Sequence, residues 1–383
     1  MGFMRRTLLV TNDFPPRLGG IQTFLQNYAS RLPAEDLVVY ASSYKRNDRG
    51  GECASYDATV GWKTYRDKTS MLLPTPRVAR KMAKIIRDEA ISTVWFGAAA
   101  PLGLLAQTAK AAGASNVVVT THGHEIGWTL IPGARQLVKK IFADTDAVTY
   151  ISDYTLHNLK PAIGNTPVVH LPGGIDTAEF RPNPQARAQL RQRYQLGDRP
   201  VILCLSRLVP RKGQDMLIRA MEGITKRHPE AHLVITGSGP YENHLKAMAK
   251  ASPASANITF TGAIPAAELA AHHAMADIFA MPARTRWGGL DVEGLGIVYL
   301  EAGAAAVPVI AGDSGGAPET VLHGQTGYVV KGTAVVDLAM RICQLLENDD
   351  ARRQMGWKGR EYAENWAWPQ LVSRLTDALD GNF

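Results

Sequence analysis

The stretch Val201-Ile202-Leu203-Cys204-Leu205-Ser206-Arg207-Leu208-Val209-Pro210-Arg211-Lys212-Gly213 decides the fold. It opens as an unbroken apolar run of strand length. Such a run fits a strand buried on both faces, as in a parallel sheet covered by helices. It ends in a loop with three cations within six residues, Arg207, Arg211 and Lys212. A helical pattern near 213–228 follows. Strand, basic loop and helix in this order place positive charge at the carboxyl end of a strand, where open α/β sheets bind ligands.

Outward from this unit the same rhythm repeats. Ala231–Thr236, Ile258–Phe260, Ile278–Met281 and Pro308–Ile310 read as strands. Helical patterns fall near 241–251, 266–273, 296–305 and 333–347. Upstream, Thr7–Thr11, Leu37–Tyr40, Thr93–Phe96, Val117–Thr121 and Ala147–Ile151 read as strands, with helices at 21–32, 100–113 and 133–144. Two βαβ series imply two doubly wound α/β domains facing a cleft. Leu171-Pro172-Gly173-Gly174-Ile175-Asp176 and the polar stretch Arg181–Arg199 read as the linker. The domains are 1–171, 172–365 and a terminal helix, 366–383, returning to the first. Trp357, Trp366 and Trp368 mark this tail as one that docks, on its own domain or back on the first.

Composition narrows the class. The chain has 383 residues, 45% hydrophobic and 20% charged, which suits soluble globular domains and excludes disorder. Its net charge of +7 favours anionic partners without selecting among nucleotides, nucleic acid and membranes. Cys53, Cys204 and Cys343 are far apart and read as reduced core thiols. No apolar run reaches the ~20 residues of a membrane span. The apolar run after Arg5-Arg6 stops at Thr11-Asn12-Asp13, too early for a signal peptide. A cytoplasmic protein is expected.

Four clusters carry chemistry, each at a strand end. Gly19-Gly20, before the first helix, suits close approach of a diphosphate to helix N–H groups, or is a simple turn. The Ser206–Gly213 loop supplies Arg207 and Lys212 to neutralise phosphate, against a solvated loop as the bland alternative. Glu293 and Glu301 stand eight residues apart across Gly294-Leu295-Gly296-Ile297, the start of a helix. One carboxylate can bond ribose hydroxyls and the other a sugar. Thr121-His122-Gly123-His124-Glu125 lacks the spacing of a helical zinc motif. His122 fits a role in the cleft, and His124 a structural one. Gly237-Ser238-Gly239 and Thr261-Gly262-Ala263-Ile264-Pro265 are turns able to line a base pocket. The first lacks the third glycine of a dinucleotide fingerprint.

Taken together, Gly19-Gly20, Arg207 with Lys212, and the E-x7-E element Glu293–Glu301 resemble the retaining GT-B glycosyltransferases. The likeness covers essentially the whole chain. Within that family the chain is most similar to the actinobacterial, GDP-mannose-dependent phosphatidylinositol mannosyltransferases that add the second, α-1,6-linked mannose. The resemblance implies that Arg207 and Lys212 hold the diphosphate and assist its departure, with Gly20 facing the distal phosphate. It implies that Glu301 binds the ribose, and that Glu293 with Gly294, Leu295, Gly296 and Ile297 holds the mannose. Ala263, Ile264 and Pro265 would border the guanine, with Gly213 and Gly237 completing the donor set. His122 would sit beside the reacting carbon, and Asp13 and Gln22 on the acceptor side. No metal or other cofactor is expected.

Retention through a double displacement would need a carboxylate nucleophile beside the sugar. None is evident, so front-face substitution is expected. A glycolipid acceptor implies a peripheral enzyme on the inner face of an anionic membrane. Candidate contacts are Arg77, Arg80, Lys81, Lys84 and Arg87, interleaved with Val78, Met82, Ile85 and Ile86, and Arg135, Lys139 and Lys140 around Leu137, Val138 and Ile141. An ordinary surface helix with its apolar face in the core is the alternative for both. Rival functions are a transferase with another donor or a soluble acceptor, an epimerase or hydrolase on the same scaffold, and a nucleic-acid module. The last is disfavoured because the aromatics cluster in the terminal helices instead of alternating with cations.

Overall fold

The computed structural model describes residues 4–43 and 51–383, so Met1–Phe3 of the N-terminal run lie outside the described residues. The chain forms two compact units. One comprises Met1–Gly173 with Pro369–Phe383, and the other Gly174–Trp368.

In the first unit the strands are β1 (Thr7–Thr11), β2 (Leu37–Ser42), β3 (Lys63–Asp67), β4 (Thr93–Phe96), β5 (Asn116–Thr121), β6 (Ala147–Tyr150) and β7 (Val168–His170). They form one parallel sheet in the order β3-β2-β1-β4-β5-β6-β7. The order reverses between β1 and β4, which creates a switch point. Leu8, Val10, Val94, Phe96, Val117 and Val119 are wholly buried because helices cover the sheet. The helix Pro76–Asp88 starts at Thr75, whose hydroxyl accepts from Val78 N–H, with Pro76 at its first position. Its apolar stripe of Val78, Met82, Ile85 and Ile86 is buried in the core. That stripe is therefore unavailable to a membrane, and so are Val138 and Ile141 of the second candidate stretch, which lie in the same core and leave only Leu137 of its apolar residues exposed. Arg77 makes two bonds to Asp67 at 2.9 and 3.1 Å, which also removes one candidate lipid contact.

The helix Trp368–Leu379 packs its later residues on the first unit. Thr93 Oγ1 donates to Leu379 O at 2.7 Å, and Asn116 Nδ2 to Ala378 O and Leu379 O at 2.9 Å. Arg5 N–H donates to Asp380 Oδ1 at 2.8 Å.

In the second unit the strands are β8 (Val201–Leu205), β9 (His232–Thr236), β10 (Ile258–Gly262), β11 (Ile278–Met281), β12 (Val309–Gly312) and β13 (Gly327–Val330). They pair in parallel in the order β10-β9-β8-β11-β12-β13, with the switch point between β8 and β11. The polar stretch 181–199 is not a linker. It contains the helix Pro184–Arg193, capped by Asn183 Oδ1. Arg187 and Arg191 each bond Asp277 at 2.6 Å, which anchors this helix to the second unit despite its few apolar residues. Trp366 packs with Ile175, Phe180 and Leu300 in the same unit, whereas Trp357 is exposed. All three cysteines are free and buried, and burial pushes the Cys204 thiol up to about 12.

Candidate active site

β8 delivers the chain to its switch point, and the loop Ser206–Gly213 turns there before the helix Gln214–Arg227. The loop is fixed on three sides. Gln214 Nε2 donates to Ser206 Oγ at 2.9 Å and Arg207 O at 3.2 Å. Arg284 grips Asp215 with two bonds of 2.9 Å, while its own N–H donates to Arg211 O at 2.8 Å. Gly213 has φ +79°, and a Cβ there would collide with the Pro282 carbonyl at the end of β11. The conformation and the close approach together require glycine.

Lys212 is buried, and its Nζ lies 2.6 Å from Glu293 Oε2. Arg211 stands nearby, 3.8 Å from the same oxygen and 3.7 Å from Asp291. Arg207 is exposed at the outer edge of the loop. The cationic loop and the Glu293 segment thus form one cluster. Glu293 N–H donates to Ser314 Oγ at 3.1 Å, and its carbonyl accepts from Gly316 N–H at 3.0 Å, which anchors the backbone on both sides.

Gly296, with φ +84°, starts the helix Ile297–Ala304. The first-turn N–H groups of a helix lack intrahelical acceptors and suit an anion or a sugar hydroxyl. Tyr299 locks that turn by donating to Met281 O at 2.6 Å. Glu301 projects from the helix and is mostly buried, with Oε2 3.3 Å from His273 Nε2. Gly294, Leu295 and Ile297 lie between the two glutamates. Ala263 and Pro265 are exposed and Ile264 half-buried beyond β10, where they can border a ligand. The glycine at 237 answers to packing: a Cβ there would strike the Ser206 carbonyl.

The first unit places its own group at the β1–β4 switch point. Asp13 Oδ1 accepts from Gln22 Nε2 at 2.6 Å, and Arg17 is 3.8 Å from the same oxygen. Gly19 is extended (φ 162°), so a left-handed conformation is not its reason for being glycine; a Cβ there would hit the Gln22 amide. Gly20 begins the helix Gly20–Ala29 and faces open space. His122 Nε2 lies 2.7 Å from Gly97 O. A carbonyl only accepts, so Nε2 carries the proton and Nδ1 is left as the acceptor of the neutral ring. Burial holds His122 below its ordinary pKa, partly offset by the Glu125 carboxylate. Glu125 is itself buried, with Oε2 accepting from His122 N–H at 3.0 Å and Gly123 N–H at 3.1 Å.

Sequence reasoning assigned no role to Glu125, Asp215, Arg284, Asp291 or His273. Glu125 carried a local signal, as an acidic residue opening the helix Glu125–Thr129, where a carboxylate meets unpaired N–H groups. Among the described residues no group of three or more His, Cys, Asp or Glu side chains is placed to hold a metal ion.

Two open parallel sheets, one with clustered cations and carboxylates at its switch point, define a doubly wound α/β protein of the kind that binds ligands at strand ends. Residues 186–362 match the family described as glycosyl transferases group 1, and 18–179 match glycosyltransferase family 4. A sucrose-phosphate synthase from Thermosynechococcus elongatus has the same fold at TM-score 0.77, 20% identity and 97% coverage of both chains. A glycosyltransferase from Rickettsia africae does so at 0.78, 17% identity and 100% coverage of both. The chain is 51% identical to the GDP-mannose-dependent α-(1-6)-phosphatidylinositol monomannoside mannosyltransferase of Mycolicibacterium smegmatis, over 98% of each chain. It is 49% identical, over 99% of each, to the Corynebacterium glutamicum enzyme named for the monoacylated acceptor. The protein belongs to the GT-B glycosyltransferase family of these relatives.

Proposed function

We propose that this protein transfers mannose from GDP-mannose to a phosphatidylinositol monomannoside, forming an α-1,6 linkage with retention. The carrying observation is the buried pair Lys212–Glu293, 2.6 Å apart at the β8 switch point. The pair joins a phosphate-binding cation to a sugar-binding carboxylate. Donor binding divides it: the ammonium turns to the diphosphate, and Glu293 with the amides of Gly294–Ile297 receives the mannose hydroxyls. Arg207 adds a second cation to the diphosphate, and Glu301 takes the ribose. Ala263, Ile264 and Pro265 border the guanine, with Gly213 and Gly237 shaping the backbone around the donor. In the first unit, Asp13 and Gln22 serve the acceptor, Gly19 and Gly20 present the helix start to phosphate, and His122 serves the reacting sugar.

In the reaction the bond from the anomeric carbon to the phosphate oxygen breaks with its electron pair on GDP. The acceptor hydroxyl enters on the same face. Its proton passes to the departing phosphate oxygen, so charge and protons balance without a protein nucleophile. Fixed positive charge lowers the barrier because it need not reorganise as the negative charge develops. The diphosphate is served by side chains and helix amides, without a resident cofactor.

No described helix is long and apolar enough to cross a membrane. The enzyme acts as a peripheral protein on the inner, anionic membrane face. Exposed Leu130, Ile131 and Leu137 beside Arg135 and Lys139 provide the contact. Liposome co-sedimentation should show salt-sensitive binding that Ile131→Asp with Leu137→Asp reduces; no binding to anionic vesicles would remove this part. For the reaction, the purified chain is incubated with GDP-mannose or UDP-sugars and with lipid or soluble acceptors. The expected product is an α-1,6-linked dimannoside from GDP-mannose and the lipid alone. Transfer from a UDP-sugar, or to soluble acceptors only, would overturn the assignment.

A further inference from the structure

Two adjacent histidines on the helix Leu269–Met275 are both wholly buried, yet they are treated differently. His272 is satisfied at both ends: Nδ1 lies 2.8 Å from Glu268 O and Nε2 2.9 Å from Tyr194 OH. His273 makes no hydrogen bond from either nitrogen among the described residues. Its ring is packed by Phe180 and Phe279, at centroid distances of 5.8 and 5.3 Å. Its Nε2 faces Glu301 Oε2 at 3.3 Å, out of line for a hydrogen bond. A buried imidazole without a partner is costly, and an apolar side chain of similar shape would fill the same space more cheaply.

We infer that His273 is a positioning residue for Glu301. It donates from Nε2 to Glu301 Oε2 when the donor is bound, holding that oxygen and turning Oε1 toward the ribose hydroxyls. A glutamate on its own loses side-chain entropy when a ligand fixes it, and a second anchor reduces that loss. The small misalignment of the ligand-free pair is corrected by a rotation of the carboxylate, for which the partly open side of Glu301 leaves room. The inference rests on the assignment of Glu301 to the ribose.

The test is calorimetric binding of GDP and of dideoxy-GDP, which lacks both ribose hydroxyls, to the full chain and its variants. Wild type should bind GDP about tenfold more tightly than dideoxy-GDP, the scale of a charge-assisted hydrogen bond. His273→Phe should lose most of that preference, weakening GDP several-fold and leaving dideoxy-GDP unchanged. His273→Gln, whose Nε2 can reach the same oxygen, should restore it. His273→Asn, too short to reach, should behave like His273→Phe and serves if the latter fails to fold. Equal weakening of both nucleotides by His273→Phe and His273→Asn would mean a merely structural histidine and overturn the inference. Glu301→Ala separates the two claims. If it abolishes the preference while the His273 variants keep it, the positioning role fails and the ribose assignment stands. If Glu301→Ala keeps the preference, the ribose assignment fails and takes the inference with it.

Discussion

The two switch points have the same topology and different chemistry. The second unit gathers Arg207, Arg211 and Lys212 with Glu293 and Asp291, five charged groups on two strand-end segments. The first unit offers an amide on a carboxylate (Gln22–Asp13), a carbonyl-bound imidazole (His122–Gly97) and a carboxylate spent on backbone N–H groups (Glu125). A parallel sheet supplies the place, and the loop sequence supplies the charge. Dense fixed cations suit a leaving diphosphate, while hydrogen-bonding groups suit a hydroxyl acceptor.

The contrast can be broken most forcefully at Lys212. Lys212→Ala should lower kcat about a thousandfold while GDP-mannose affinity, measured by calorimetry, moves only a few-fold. Equal losses would make Lys212 a ground-state binder and erase the distinction. Asp215→Asn should destabilise the chain by about 2 kcal/mol, because it sets the half-buried Arg284 guanidinium against a neutral partner; a denaturation midpoint unchanged from wild type would contradict this. Gln22→Ala should raise the acceptor KM about tenfold, the cost of one lost polar contact, with donor binding untouched. A donor effect as large as the acceptor effect would blur the comparison.

The smallest effect concerns pH. The folded state holds His122 below its ordinary value, so it disfavours the protonated ring. The unfolded chain then binds more protons, and this residue's contribution to stability falls as pH drops below the ordinary histidine value of about 6.5. Any His122-dependent acid limb of kcat should lie below that pH. An acid limb above it that disappears in His122→Asn would contradict the assignment.

Much of this was legible because central strands of a covered parallel sheet are apolar runs. β1, β4, β8 and β11 were read with their observed ends. β3, β7 and β13, all edge strands, were not: Lys63-Thr64-Tyr65-Arg66-Asp67 is mostly polar, Val168–His170 has three residues, and Gly327–Val330 opens on a glycine. The helix Pro184–Arg193 was hidden because its hold is ionic and its partner, Asp277, is distant in sequence. The chemistry-bearing loops could be located, since strand ends are where ligand groups gather. Their pairings could not. Nothing local joins Lys212 to Glu293, Arg284 to Asp215 or His273 to Glu301.

The helix Trp368–Leu379 has a consequence for how the two halves can be separated. The polypeptide leaves the first unit at Gly173 and rejoins it at Pro369, so the second unit is in effect an insertion within the first. A chain truncated after Trp368 keeps every strand of the second unit, while the first lacks the segment that packs on Thr93 and Asn116. Such a chain should resist protease in its later-numbered half and be cut in the other.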